Sequence, residues 1–252
     1  MKRDARLALA AAAALALLPG IVLVIAHLPD FGRHPLPYGE AINGAATRER
    51  HVTNMVTAVN FDYRGLDTLG EEFMLLGAVT GTLVLLRGRR GENVSDAPAE
   101  AEGRPIPPRS DAVALACRFF APVLLLFGIY VVLHAQLTPG GGFQGGAIIG
   151  SGALLLYLGE GYRIWRRLVR SHLFDAVEAT GALIFALAGW APMIFGAKFL
   201  ENILPLGKTG ALISGGLILV TNAGVALAVA GGFVLLMVEF LEETRTTKED
   251  ER

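Results

Sequence analysis

The sequence predicts an all-α, polytopic integral membrane protein with about six transmembrane helices. Three observations carry this. Of the 252 residues, 53% are apolar and only 18% charged, with a mean hydropathy of +0.50, a balance few water-soluble domains reach. The apolar residues gather into runs of helix length between short polar stretches. Lysine and arginine are also unevenly shared between alternate connections. If six runs cross the membrane, sixteen of the 22 lie on the side of the N-terminus and the remainder on the other. The positive-inside rule then puts both termini in the cytoplasm. A net charge of −1 gives no reason to expect a nucleic-acid partner.

The first run, residues 7–28, follows Lys2, Arg3 and Arg6. A cleaved signal peptide would share that basic start, but the run exceeds the usual apolar region of about 7–15 residues, so an uncleaved transmembrane helix fits better. Pro19-Gly20 would kink it. Residues 29–60 read as polar and irregular, except that Val52, Met55, Val56 and Val59 recur at helical spacing. That spacing predicts a short surface helix lying along the membrane.

The second run is uncharged only over residues 73–86, too short for a hydrocarbon core of about 30 Å. To span, its helix must recruit residues 66–72, which brings Asp67, Glu71 and Glu72 to the outer interface. Helix-end chemistry explains these acids as well as ion handling does. Thr68-Leu69-Gly70-Glu71 has the form of a capping box, and acids favour a helix N-terminus. Ionisable groups in a membrane segment equally suit a proton or cation relay.

Residues 91–111 are rich in charge and proline and read as a cytoplasmic linker. Four further runs follow: 112–134, broken by Pro122; 143–157; 173–195, with Asp175 and Glu178 near its start; and 210–241. The last, if wholly helical, would reach about 48 Å and must tilt, bend or protrude. Residues 244–252 form a charged cytoplasmic tail. Cys117 has no second cysteine to pair with in this chain and reads as a small packing residue. Between the third and fourth runs lies Pro139, Gly140, Gly141, Gly142, Phe143, Gln144, Gly145 and Gly146, an irregular backbone built for close approach.

This stretch, with RFFAP at 118–122, resembles the signature of the B-type subunit (MnhB or MrpB) of the multisubunit Mrp-type sodium/proton antiporters. The same domain belongs to the membrane arm of related energy-converting hydrogenases. The stretches LPLG at 204–207 and TNAGVAL at 221–227 are similar to that family too, and the resemblance covers about residues 112–242. Ala135 departs from it, standing where glycine is expected. Residues 59–71, VNFDYRGLDTLGE, resemble the C-terminal region of the large A-type subunit of the same antiporters. The chain therefore reads as a fusion, with a two-helix A-like module at 1–90 and a four-helix MnhB-like domain at 112–243. The resemblance implies that Glu71 lies on the ion route; Glu72 is an additional acid where an apolar residue is expected.

His134, closing the third helix, suits either a proton shuttle or a polar cap. Asp175 and Glu178 suit dipole-favoured helix-end positions or inner proton uptake. Gly77 and Gly81, Gly146 and Gly150, and the series Gly224, Ala228 and Gly232 carry the spacing of close helix packing. Asn222, mid-helix, suits an amide that bridges helices. No metal-ligand cluster, P-loop, nucleophile elbow or dinucleotide fingerprint occurs, so no catalytic residue, metal or cofactor is expected. The function implied is that of one component of an antiporter complex in a prokaryotic plasma membrane, lining or sealing an ion route. Its expected partners are the other antiporter subunits, the lipid bilayer, sodium ions and protons. A redox-complex membrane arm and a pure scaffold are the alternatives.

Overall fold

The computed structural model describes residues 3–28, 37–90, 110–161, 165 and 167–243. The expected linker and tail, and residues 29–36, lie outside the described residues apart from the linker's final two. The chain divides into two compact units, Met1–Ala41 and Ile42–Arg252, each taken by itself. The first contains α1 (Arg3–Ala26) and the start of α2 (Pro37–Glu49). Helix α1 runs through Pro19 without interruption, and its large apolar side chains from Leu15 to Ile25 are more than half exposed.

The second unit continues with α3 (Met55–Ala58), a π-helical turn (Val59–Tyr63), α4 (Gly65–Arg90), α5 (Asp111–Leu133), α6 (Gly142–Glu160), α7 (Ser171–Ile194) and α8 (Leu217–Glu243). Among the described residues, five helices, α4 to α8, are long and apolar enough to cross a membrane, and no strand is present. The protein is an all-α polytopic membrane protein. In α1 the apolar helical stretch is the shorter Leu15–Ala26.

Helix α8 is the hub. Its spanning segment is the most buried of the five, and α4, α6 and α7 pack around it, with α5 against α6. Small residues make this possible. A Cβ on Gly146 of α6 would lie 2.7 Å from the Ala226 carbonyl oxygen of α8, and one on Gly150 2.9 Å from Phe233 Cβ. On the other side of α8, a Cβ on Gly181 of α7 would collide with the Ala228 nitrogen, and one on Gly224 would sit 2.9 Å from the Gly181 oxygen. Helix axes approach this closely only where side chains are missing.

Several expectations change. Residues 37–49 are helical rather than irregular. The segment after residue 51 is not a surface helix on the membrane. Val52, Thr57, Ala58 and Phe61 are buried, the last three in α3 and the π turn, and Val52, Ala58 and Phe61 share a core with Phe185, Ile218 and Val225. Pro122 lies inside a continuous helix. The 210–241 run does not form one helix. Gly207 bridges Ser214, Gly215 and Gly216 take positive φ, and α8 begins only at Leu217. The Thr68–Glu71 capping box does not form, because α4 starts at Gly65 and Thr68 is already inside it and buried.

Candidate functional site

At the end where α4 and α8 begin, three loops are tied into one knot. Asn54 caps α3 by accepting from Val56 N and Thr57 N, and its Nδ2 donates to the carbonyls of Ala135 at 2.7 Å and Thr138 at 2.9 Å. Thr57 Oγ1 also donates to Ala135 O. Gln136 donates to Leu212 O. Asn202 donates to Asp62 Oδ2 at 3.0 Å and accepts from Leu217 N, the first residue of α8. Asp62 also accepts from Arg50 Nε at 2.6 Å. Burial opposes the Arg50 charge, but the hydrogen bond and charge of Asp62 outweigh it and raise the guanidinium above its ordinary value.

The glycine-rich loop leads from this knot into α6. Gly140 and Gly141 have φ of +147° and +157°, conformations that side chains disfavour. Asn222 of α8 holds the turn: its Oδ1 accepts from Gly142 N at 2.6 Å and its Nδ2 donates to Val132 O at 2.9 Å. Phe143 and Gln144 are exposed, while Gly145 packs on the Gly128 carbonyl of α5. Val131 stands 2.9 Å from where a Gly140 Cβ would be. Pro139 is exposed. Thr53, Asn54 and Thr57, rather than Asp67 and Glu71, reach the chain just before this loop. His134 is the C-cap of α5, with Nδ1 3.0 Å from Tyr130 O and its ring stacked on Tyr130 at 4.0 Å.

The acids of α4 separate by helix phase. Asp67 is exposed and paired with Arg64 at 2.6 Å. Glu71 is exposed. Glu72, one residue on, is 2% exposed, and neither carboxylate oxygen has a hydrogen-bond partner among the described residues. It lies within electrostatic range of Glu178 on α7, itself 5% exposed with Oε1 unpartnered. Gly231 and Gly232 of α8 make room for Glu178: a Cβ on Gly232 would lie 2.9 Å from its Oε1 and 3.1 Å from Val79 of α4.

The series continues. Glu178 senses the charge of the half-buried Asp175, and Asp175 that of Arg87, Glu239 and His172. Arg87 of α4 and Glu239 of α8 form an ion pair at 2.7 Å, their side chains 12% and 1% exposed. From Glu72 to Arg87 along α4 is fifteen residues, about 22 Å. Ionisable groups therefore occur at several levels between α4, α7 and α8, with the apolar side chains of Val79, Leu83 and Leu235 among them.

An ionised carboxylate buried without donors is costly. Charge on Glu72, and at Oε1 of Glu178, is therefore unfavourable unless a proton or a cation offsets it. Sequence reasoning ranked Glu71 above Glu72 and did not single out Arg87 and Glu239 as a pair. Glu239 inside the last apolar run, and Arg87 directly ending the second, were the signal that could have found them.

Residues 112–235 match a family model described as a domain related to the MnhB subunit of a Na+/H+ antiporter. An uncharacterised protein of Methanocaldococcus jannaschii is 31% identical over 80% of this chain and 83% of its own length. The B-type subunit of a Na+/H+ antiporter of Bacillus subtilis is 37% identical over 37% of this chain and 69% of its own. A probable K+/H+ antiporter component of Rhizobium meliloti, a combined A/B polypeptide by its name, is 28% identical over 79% of this chain, which spans 22% of that longer protein.

Two solved structures share the fold. One is a chain of the membrane-bound sulfane sulfur reductase, an archaeal respiratory membrane complex, with a TM-score of 0.72 and 28% identity over 94% of this chain and 98% of that one. The other is a chain of the Mrp complex of Dietzia sp. DQ12-45-1b, with a TM-score of 0.70 and 26% identity over all of this chain and 27% of that one. The fold, the glycine loop and the match over residues 112–235 converge on one assignment: the chain belongs to the family of proteins related to the MnhB subunit of Na+/H+ antiporters.

Proposed function

We propose that this chain is one component of a multisubunit cation (sodium)/proton antiporter and that its α4–α7–α8 interface lines the ion route. The observation that carries the reading is a pair of buried acids inside an antiporter-family fold, Glu72 with neither carboxylate oxygen partnered and Glu178 with Oε1 unpartnered. Among the A-type residues, weight moves from Glu71 to Glu72. Glu71 and the Asp67–Arg64 pair sit on the exposed side of α4, where they would face a neighbouring subunit or an aqueous mouth. His134 would stand at the same end as a cap.

Partner subunits have a natural seat. A Cβ on Gly77 or Gly81 would meet nothing within 4 Å, so the small-residue face of α4 is open within this chain. The remaining exposed apolar surface suits a lipid bilayer. On this reading the membrane is the prokaryotic plasma membrane and both termini are cytoplasmic. The module at 1–90 and the domain at 112–243 are then fused parts of the A-type and B-type subunits. The chain moves ions and catalyses no chemical conversion.

The test is exchange activity of the complete complex carrying Glu72→Gln together with Glu178→Gln. The expected result is loss of sodium-driven proton movement from a complex that still assembles. Wild-type exchange would remove the acidic row from the ion route.

A second reading keeps the same row in a redox-driven complex. It is favoured by the near end-to-end match to a chain of the sulfane sulfur reductase. Purification in mild detergent separates the two: iron–sulfur subunits accompanying the chain support the redox version, and antiporter-like membrane subunits alone support the exchanger.

A further inference from the structure

We propose that Glu72 and Glu178 are proton-binding sites and do not bind sodium, so that protons cross this chain along the row while the metal cation passes elsewhere in the complex. The inference deepens the proposed function and rests on the reading that the row lies on the ion route.

The argument is one of ligand supply. A hard cation stripped of water needs several oxygen ligands to replace its hydration shell. In transporters these come largely from backbone carbonyls freed where a membrane helix unwinds. No such break occurs here. Helices α4, α7 and α8 run continuously past Glu72 and Glu178, so their carbonyls are committed to intrahelical hydrogen bonds.

The nearby walls are apolar. Val79, Leu83 and Leu235 form one buried cluster, with Leu75, Phe174 and Leu236 against it. Gly232, beside Glu178, contributes no side chain at all. The buried Thr68 hydroxyl, one turn from Glu72, adds a single oxygen. Among the described residues no group of three or more acidic, histidine or cysteine side chains is placed to hold a metal ion. A sodium ion at either site would therefore be left under-coordinated.

A proton asks for one oxygen, and each carboxyl offers one. Protonation also removes the charge that makes burial costly, which explains how Glu72 persists without donors and Glu178 with Oε1 unpartnered. The charged neighbours fit the same assignment. The charged groups within electrostatic range are Glu71 for Glu72, Asp175 for Glu178, and Arg87, Glu239 and His172 for Asp175. Acids outnumber bases near Glu72 and Glu178, and the Arg87 guanidinium is engaged with Glu239.

The experiment uses membrane vesicles containing the complete complex with Glu72→Asp and Glu178→Asp, read as exchange rate against sodium concentration and against pH. Expected is a displaced pH profile with the half-saturating sodium concentration unchanged. A changed half-saturating sodium concentration with an unmoved pH profile would overturn the proton assignment and leave the antiporter reading standing. Wild-type behaviour in both variants and in the corresponding glutamine variants would overturn both.

Infrared difference spectra of the purified wild-type complex give a second readout, independent of turnover. The protonated carboxyl band should titrate with pH, lose intensity in Glu72→Gln and Glu178→Gln, and ignore sodium added at fixed pH. A band erased by sodium at fixed pH overturns the proposal.

Discussion

Asn222 shows what one side chain does in this fold. Its amide satisfies the first N–H of α6 and the last turn of α5 at once, so it joins three helices at the glycine loop. Replacing it with leucine leaves the buried Gly142 N–H unpaired, while the Val132 carbonyl keeps the Ala135 N–H as a donor. We expect a loss of about 1–3 kcal/mol for the group left unsatisfied, measured as a lower midpoint of thermal unfolding in detergent. Glu71 and Glu72 make the complementary point. Consecutive residues on a helix point about 100° apart, so one is exposed and the other buried. The sequence shows two acids in a row but not which of them faces α7 and α8.

At the scale of elements, α4 presents two unlike faces. Its buried face carries Glu72, Val79 and Leu83, and its open face carries Gly77 and Gly81. Helix α6 uses glycine differently, pressing Gly146 and Gly150 on α8 and Gly145 on α5. A Gly146→Leu variant should therefore be destabilised by about 3 kcal/mol or more and lose the folded chain. Gly77→Leu should leave the isolated chain as stable as wild type and lower recovery of partner subunits. Comparing thermal midpoints with co-purified partners for the two variants checks this. The Arg87–Glu239 pair clamps α4 to α8 at the other end of the row. Arg87→Gln removes the cation 2.7 Å from the buried Glu239 carboxylate and should lower stability by up to about 3–5 kcal/mol. Adding Glu239→Gln should recover part of that loss, and strict additivity in the double-mutant cycle would deny the coupling.

At the scale of the whole molecule, the unit Ile42–Arg252 contains both the helices before residue 91 and the MnhB-related region at 112–235. Asp62 with Asn202, Asn54 with Ala135 and Arg87 with Glu239 cross the join at both ends of the helices. Cleavage at a protease site inserted between residues 91 and 109 should therefore leave the two pieces associated. Co-elution of both pieces in detergent is the expected result, and their separation would show that the covalent link holds them.

The sequence by itself determined the class of protein. Apolar runs of bilayer length specify membrane helices because backbone polar groups in hydrocarbon must be satisfied within the segment. The motif at Pro139–Gly146 specified the family, since few backbones accept that density of glycine. It located Glu71, Glu72, Asp175 and Glu178 without joining them, because they lie on separate helices and periodicity is weak in runs that are apolar all round. Tertiary structure alone decided the partnerships: that Val52, Thr57, Ala58 and Phe61 turn inward and are buried, that Asn222 reaches Gly142 eighty residues away, and that Glu72, Glu178, Asp175, Arg87 and Glu239 come within electrostatic range, each of the next. The physical reason is that a charge inside a membrane protein takes its meaning from whichever helix packs against it, and that choice is made by the fit of small residues between helices rather than by any local pattern along the chain.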